Sequence, residues 1–332
     1  MSKFRVPREG EALLDIVSYG RGGPRENGGR LTPEQVEQIR RTVQRVPEVM
    51  VKVLSRASND LNAAGKHVDY IGRYGELALE TDDFDHVENR NGRALMEDWD
   101  LDIDDARRQS GLAAIGRRQP PKLIHKLMFS MPSGTPPEKV LTAVRNFARE
   151  EFWGQHRYVF VLHTDEDHPH VHLVLKAVNE QGVRLNIKKG TLRHWRAEFA
   201  RNLRLLGEPA NATERAVRGE VVNSKKDGIY RASLRGDSTH FREQAEAVVS
   251  ELQRGKLQPQ PGSRRLSATR AEVVGGWRAV AERLAKSADH ALSADVRRFA
   301  DQMPPPQTDR ESLAMNLLRH MQRNRERRAI LR

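Results

Sequence analysis

Residues 163–176 read HTDEDHPHVHLVLK, and this stretch restricts the possible folds more than any other. Four of the chain's twelve histidines fall between His163 and His172, directly ahead of an apolar run. In an extended 170–176 segment the side chains alternate between faces, so His170, His172 and Val174 share one face and Val171, Leu173 and Leu175 the other. The preceding RYVFVLH (157–163) also reads as a strand, ending on His163. DEDHP between them is a polar, proline-bearing turn. Two adjacent strands joined this way bring His163 close to His170 and His172. Three imidazoles converging from a sheet make a metal-site geometry. His168 is a further contributor by position. A single histidine here would be read as a solvent-facing side chain of a polar hairpin; three with this spacing favour a site.

The surrounding sequence supplies strands and helices at regular intervals. PEVMVKVLSR (47–56), ELALET (76–81) and KLIHKLMFSM (122–131) read as further strands. ASNDLNAAGKHVDYIGRYG (57–75) is expected to be helical, with Ser58 as cap and Gly75 as stop. SGTPPEKVLTAVRNFAREEFW (133–153) is expected as a helix capped by Thr135, and TLRHWRAEFARNLRLLG (191–207) as one closed by Gly207. Residues 82–121 are acidic and polar, with a helical piece near 95–110, and read as an excursion between strands. Few of these connections are simple crossovers. The predicted fold is therefore α+β, a five-stranded mostly antiparallel sheet with flanking helices. The boundaries drawn are 1–46 for an amino-terminal extension with a short helix after Thr32, 47–222 for the sheet domain, and 223–332 for a basic, mainly helical region. Linkers are expected near 257–267 and 303–309.

Charge narrows the partners. The formal net charge is +12. Residues 180–332 carry 31 Lys+Arg against 18 Asp+Glu, a balance of +13, while 1–179 carry 26 against 27. That asymmetry points to a polyanion, most often nucleic acid. The tail RHMQRNRERRAILR (319–332) fits non-specific DNA binding or a transport signal equally well. The absence of cysteine excludes disulfides, thiolate metal sites and a cysteine nucleophile. No long apolar run and no signal-type start are seen, so a cytoplasmic protein without membrane insertion is expected.

A metal held by imidazoles keeps its positive charge and open positions for a phosphate oxygen, on which it acts as a Lewis acid. Asp165 and Asp167 are placed to orient the imidazoles. On this motif alone, His168-Pro-His170-Val-His172 also resembles the histidine triad of nucleotide hydrolases, which use the middle histidine as nucleophile and need no metal. A non-enzymatic DNA-binding accessory protein is a third reading.

A companion motif lies upstream. VDYIGRYGELALE (68–80) puts Tyr70 near the end of a helix and ahead of a short strand. With His163-x-Asp165-x-x-x-Pro169-His170-Val-His172, it resembles the MobP-type relaxases, the HUH-motif DNA-strand transferases of mobilisable elements, and the related nucleases that nick T-DNA borders. Tyr70-Ile-Gly-Arg-Tyr-Gly fits the family's nucleophile setting. Ser130-Met-Pro-Ser133-Gly134 fits its middle motif, and ATERAVRGE (212–220) a basic segment beyond the catalytic domain. The 82–121 excursion and the long extension before the first strand depart from the pattern.

The resemblance implies Tyr70 as nucleophile, His163, His170 and His172 as ligands of a divalent metal, Mg²⁺ or Mn²⁺, and Asp167 or Asp165 as help for the phenol, whose free pKa of about 10 demands it. It implies a 5′-phosphotyrosine on single-stranded DNA at an origin of transfer, with accessory DNA-binding proteins and a coupling protein of a type IV secretion system as partners. Ser130, Ser133, Tyr74, Lys188, Lys189 and Arg193 are candidate DNA contacts. Arg157, Lys176, Arg184 and Arg196 also flank the histidine motif. Tyr74, four residues after Tyr70, would share its face of a continuing helix.

Overall fold

The computed structural model describes residues 16, 30–54, 60–83, 86–87, 92–103, 122–220, 239–255, 260 and 262–330. The chain divides into two compact units. One is built on Gln44–Ala212, the other on the helix before it and on the residues from Thr213 onward.

The first unit is a sheet between two helical layers. Its strands are β1 (Met50–Val53), β2 (Leu79–Thr81), β3 (His86–Val87), β4 (Ile124–Ser130), β5 (Tyr158–His163) and β6 (His170–Lys176), in the order β1-β4-β6-β5-β2-β3. Every ladder between them is antiparallel. The five expected strands are all present. The sixth, β3, is a two-residue edge strand inside the 82–121 excursion, most of which lies outside the described residues. The central strands are apolar on both faces because both faces are covered. On one face lie helices α4 (Pro137–Phe152) and α5 (Lys189–Leu205). There Phe129 of β4 meets Phe147 of α4 at 4.9 Å and Phe199 of α5 at 5.3 Å, ring to ring. On the other face lie α2 (Leu61–Ile71) and α3 (Gly92–Asp98). They bury Leu61, Ala64, Val68, Ile71, Leu95 and Met96 against Leu79, Ile124, Val159, Val161 and Val174. The alternation that puts Val161 and Val174 under α2 puts His163, His170 and His172 on the same face.

Local signals shift some boundaries. Helix α2 starts at Asp60, whose carboxylate accepts from the Ala63 N–H at 2.9 Å; the expected cap Ser58 lies outside the described residues. Such a cap stabilises by about 1 kcal/mol. The helix stops at Ile71, capped by Gly72, not at Gly75. Arg73, Tyr74 and Gly75 then take positive φ values of 51°, 56° and 100°. Thr135 does not cap α4; its hydroxyl donates to the Pro132 carbonyl at 3.0 Å, and Pro136 holds the cap position ahead of Pro137. Helix α5 starts at Lys189, with Thr191 in its first turn, and Gly207 follows its end with φ 71°.

The second unit consists of helices. They are α1 (Pro33–Val43), α6 (Thr239–Gln253), α7 (Ser263–Lys286), α8 (His290–Asp301) and α9 (Asp309–Ile330). Thr32 and Gln35 form a reciprocal cap on α1 (3.3 and 3.0 Å). Ile39 of α1 joins Trp277, Val280, Val296 and Phe299 in one apolar cluster. The short helix assigned to a separate extension thus packs with the C-terminal helices, because its apolar stripe has a partner there. Residues 213–220 also belong to this unit, with the Trp277 Nε1–H donating to the Val217 carbonyl at 2.8 Å. The boundary therefore falls at 212/213 and not near 222. No described helix is long and apolar enough to cross a membrane.

Candidate active site

Cross-strand register builds the site. His163 pairs directly with His170, and His172 is the next residue on that face of β6. The ring centroids lie 5.2 Å apart for His163–His170, 4.7 Å for His163–His172 and 5.2 Å for His170–His172. One nitrogen from each ring falls within 4.8 Å of the others. Among the described residues this is the only group of three or more metal-type side chains so placed.

Hydrogen bonds fix which nitrogen holds a lone pair in two of the three rings. His163 Nε2–H donates to the Ile71 carbonyl at 2.6 Å, leaving Nδ1 as acceptor. His170 Nδ1–H donates to the His168 carbonyl at 3.0 Å, leaving Nε2. Carbonyls oriented against ligand imidazoles in this way set tautomer and direction. His172 is held neutral: burial first, then His163, His170, His67 and Arg73, push its pKa down to about 3. His163 is also shifted down, by burial first, against the opposing pull of the Ile71 carbonyl. Neutral imidazoles with aimed lone pairs are what a divalent ion requires, so these residues fit a metal.

The Ile71 carbonyl matters for a second reason. It is one of the carbonyls left unsatisfied at the end of α2, and its bond to His163 pins that end to the cluster. Tyr70 is the residue before it, half exposed on the last turn. The Arg73 guanidinium lies 5.7 Å from the Tyr70 ring centroid and forms an ion pair with Asp165. Asp165 Oδ1 is 3.9 Å from His163 Nδ1. Burial acts against the Asp165 charge, but its own backbone N–H, Arg73, His163 and His170 outweigh it and hold the carboxyl below the usual range. Arg73 thus links tyrosine, carboxylate and histidine. Its only sequence signal was the basic position of the tyrosine motif. Two consecutive non-glycine residues at positive φ, Arg73 and Tyr74, three and four positions after Tyr70, are a costly backbone (about 1–3 kcal/mol each) of the kind concentrated at functional sites.

The other sequence candidates divide. Ser130 pairs with His170 across β4–β6 and is buried beside the cluster. Ser133 is exposed in the turn that follows, and Asp167 and His168 are exposed in the β5–β6 connection. The His168 side chain is not part of the triad; its backbone carbonyl is what serves. Tyr74 is exposed but does not share a helical face with Tyr70, because α2 has ended before it. Lys188, Lys189 and Arg193 sit at the start of α5, which packs on the opposite face. Arg157 is bound by Asp82, Asp83 and Asp98 at the far end of β5, and Arg184 donates to the Lys122 carbonyl at 2.5 Å. Cations adjacent in sequence to the histidines are therefore not their neighbours in space.

Residues 80–204 match the family model described as the MobA/VirD2-like relaxase nuclease domain. This stretch is similar to a relaxase nuclease domain. The matched stretch holds all three histidines and Ser130 and begins after Tyr70. The 43 kDa relaxation protein of Salmonella typhimurium is 27% identical over 142 residues, which cover 39% of this chain and 35% of that protein. The chain thus spans about a third of that relative's length. The matched stretch thus includes the strands that carry the three histidines, and the helix that carries Tyr70 precedes it.

Proposed function

We propose that this protein nicks one strand of DNA at the origin of transfer of a mobile element and rejoins it after transfer, through a covalent 5′-phosphotyrosine. The observation that carries this reading is the bond between His163 and the Ile71 carbonyl, which holds the last turn of α2, with Tyr70, against the three-histidine cluster. The match to the relaxase nuclease domain favours it over a histidine-triad hydrolase or a non-catalytic accessory protein.

His163, His170 and His172 would hold the metal, which when bound supplies Lewis acidity to a phosphate oxygen. An all-nitrogen donor set suits Mn²⁺ or a similar transition ion better than Mg²⁺, which prefers oxygen ligands. Arg73 sets the direction of the Tyr70 ring. The Tyr70 oxygen attacks phosphorus and gives up its proton; the bond from phosphorus to the 3′ oxygen breaks, and that oxygen takes up a proton as the free 3′-hydroxyl. The phosphodiester is exchanged for a phosphotyrosine ester, so the reverse attack rejoins the strand. Asp165, paired with Arg73 and below the ordinary carboxyl range, is a poor proton acceptor and is assigned to orientation. Asp167 is the carboxylate assigned to assist the phenol. Accessory DNA-binding proteins and a coupling protein of a secretion channel are the partners such a reaction requires.

The test is a denaturing gel of protein, Mn²⁺ or Mg²⁺, and labelled single-stranded DNA from the locus flanking the gene. A labelled protein band lost in both Tyr70→Phe and His170→Ala is expected. A band that survives Tyr70→Phe would overturn the assignment of the nucleophile.

A further inference from the structure

The register of the sheet defines rows of side chains on the histidine face. One row runs Met50–Ser130–His170–His163, and the next Lys52–Met128–His172–Val161. The third passes through Lys126, Val174 and Val159. Helices α2 and α3 bury the β5 and β2 end of these rows. The β1 and β4 end carries Met50, Ser130, Lys52, Met128 and Lys126, none of which belongs to that apolar cluster. His67, one turn before Tyr70 on α2, is pushed down to about 4 by burial and then by the Lys126 charge, which places it within electrostatic reach of this strip.

The strip carries permanent positive charge in Lys126 and Lys52, with Arg73 close enough to act on His172, while burial holds His67 and His172 neutral. The Lys126 side chain is buried on this face, only 8% of the residue being exposed, while Lys52 is exposed. A metal ion on the histidines would add further positive charge. Positive charge gathered in a partly desolvated strip focuses its field on an anion. By strand spacing, the Lys126 Cα lies about 8 Å from that of His172, one strand and one row away, and the Lys52 Cα about 10 Å, two strands away. Those distances suit phosphates neighbouring the one at the histidines.

We infer that Lys126 and Lys52 bind the backbone phosphates flanking the scissile one, so that the DNA strand crosses from β6 over β4 to β1. This rests on the relaxase reading above. It also places the strand on the opposite layer from Lys188, Lys189 and Arg193. Met128, between Lys52 and Lys126, and Met50, on the far side of Lys52, give the bases an apolar floor.

The salt dependence of binding counts phosphate contacts. For single strands, each contact contributes about 0.7 to the slope of log K against log salt concentration. Labelled single-stranded DNA from the flanking locus would be titrated into the full chain in the Tyr70→Phe background at several salt concentrations. Lys126→Met, which keeps the apolar stem, and Lys52→Gln should each lower the slope by about 0.7. Lys52→Arg should retain it. Should Lys126→Met fail to fold, the exposed Lys52 decides alone. Unchanged slopes, with the same lysine variants still forming the adduct once Tyr70 is restored, would overturn this inference and leave the relaxase reading standing. Lower slopes in Lys188→Gln or Lys189→Gln only would move the strand to α5 and overturn it too. Absence of any single-strand binding or adduct by the wild type would sink both.

Discussion

Replacing Gly92 by alanine should damage the site without touching it. Gly92 opens α3 and lies against Gly65 of α2; a Cβ added there would sit 2.1 Å from the Gly65 carbonyl oxygen and 2.9 Å from both the Gly65 carbonyl carbon and the Val68 Cβ. Restoring ordinary contact requires α3 to retreat by about 1 Å, and the obstacle is backbone, which cannot rotate aside. Overpacking of this kind costs roughly 1–3 kcal/mol, at the high end here. The better helix propensity of alanine returns about 1 kcal/mol at most. The net cost is about 2 kcal/mol, or a fall in Tm of about 4–8 °C for a unit of this size. Two further glycines calibrate the reasoning. At Gly65 a Cβ would meet the Arg93 nitrogen at 3.1 Å, a strain relieved by a few tenths of an ångström, so Gly65→Ala should cost about 0–1 kcal/mol. At Gly190, in the first turn of α5, nothing lies within 4 Å, and Gly190→Ala should stabilise by about 0.4–1 kcal/mol. Thermal unfolding with hydrogen exchange on residues 60–103 reads all three. Because α2 ends on Tyr70 and on the carbonyl that binds His163, Gly92→Ala should also slow adduct formation more than it weakens metal binding. A Gly92→Ala protein as stable as Gly65→Ala would refute the close helix contact and the reasoning built on it.

Four further outcomes follow from the site. Arg73→Ala should slow adduct formation at least tenfold while leaving the metal affinity within a few-fold, about 1.4 kcal/mol on the barrier; single-turnover rates and metal titration separate the two, and equal losses in both would contradict the positioning role. Chelation should abolish nicking, and Mn²⁺ should restore it at lower concentration than Mg²⁺; preference for Mg²⁺ would argue for oxygen ligands instead of the imidazoles. Tyr74→Phe should leave the adduct intact, since Tyr74 lies beyond the end of α2 and off the face of Tyr70. Acid should destabilise the metal-free chain early: His67 and His125 are held near 4 and His172 near 3, chiefly by burial, against an ordinary 6.5. The unfolded chain binds those protons first, so their contribution is complete above about pH 6.5 and is lost as pH falls towards 4 and then 3. Denaturant midpoints measured from pH 7 to 4 should fall; a flat profile would show that these histidines are not buried neutral.

The triad was legible because a strand has a period of two and a short turn restores the next strand to the same neighbourhood; His163, His170 and His172 could only converge. The place of Tyr70 near the end of a helix was legible in its motif. Arg73 was visible as a motif position but not as a link, because its pairing with Asp165 spans distant parts of the chain and needs the left-handed turn after α2. The basic residues near the histidines in sequence misled for the same reason. Arg157 and Arg184 are consumed by acidic and carbonyl partners, and Lys188 opens a helix on the other layer. Lys126 and Lys52 gave no local signal, being one lysine in each of two apolar strands.

By itself, then, the sequence determined which side chains alternate on each strand, where helices break at glycine and proline, that thiol chemistry is absent, and that three histidines share a face. Those are local properties, set by backbone period and side-chain type. The tertiary structure alone decided which strands lie side by side, and so that Lys52, Met128 and His172 form one row; that the end of α2 is tied to His163; and that α1 packs with the C-terminal helices. Each of these depends on contacts between segments far apart in the chain, where the choice of partner is made by burial of the whole apolar surface and leaves no mark on any single stretch.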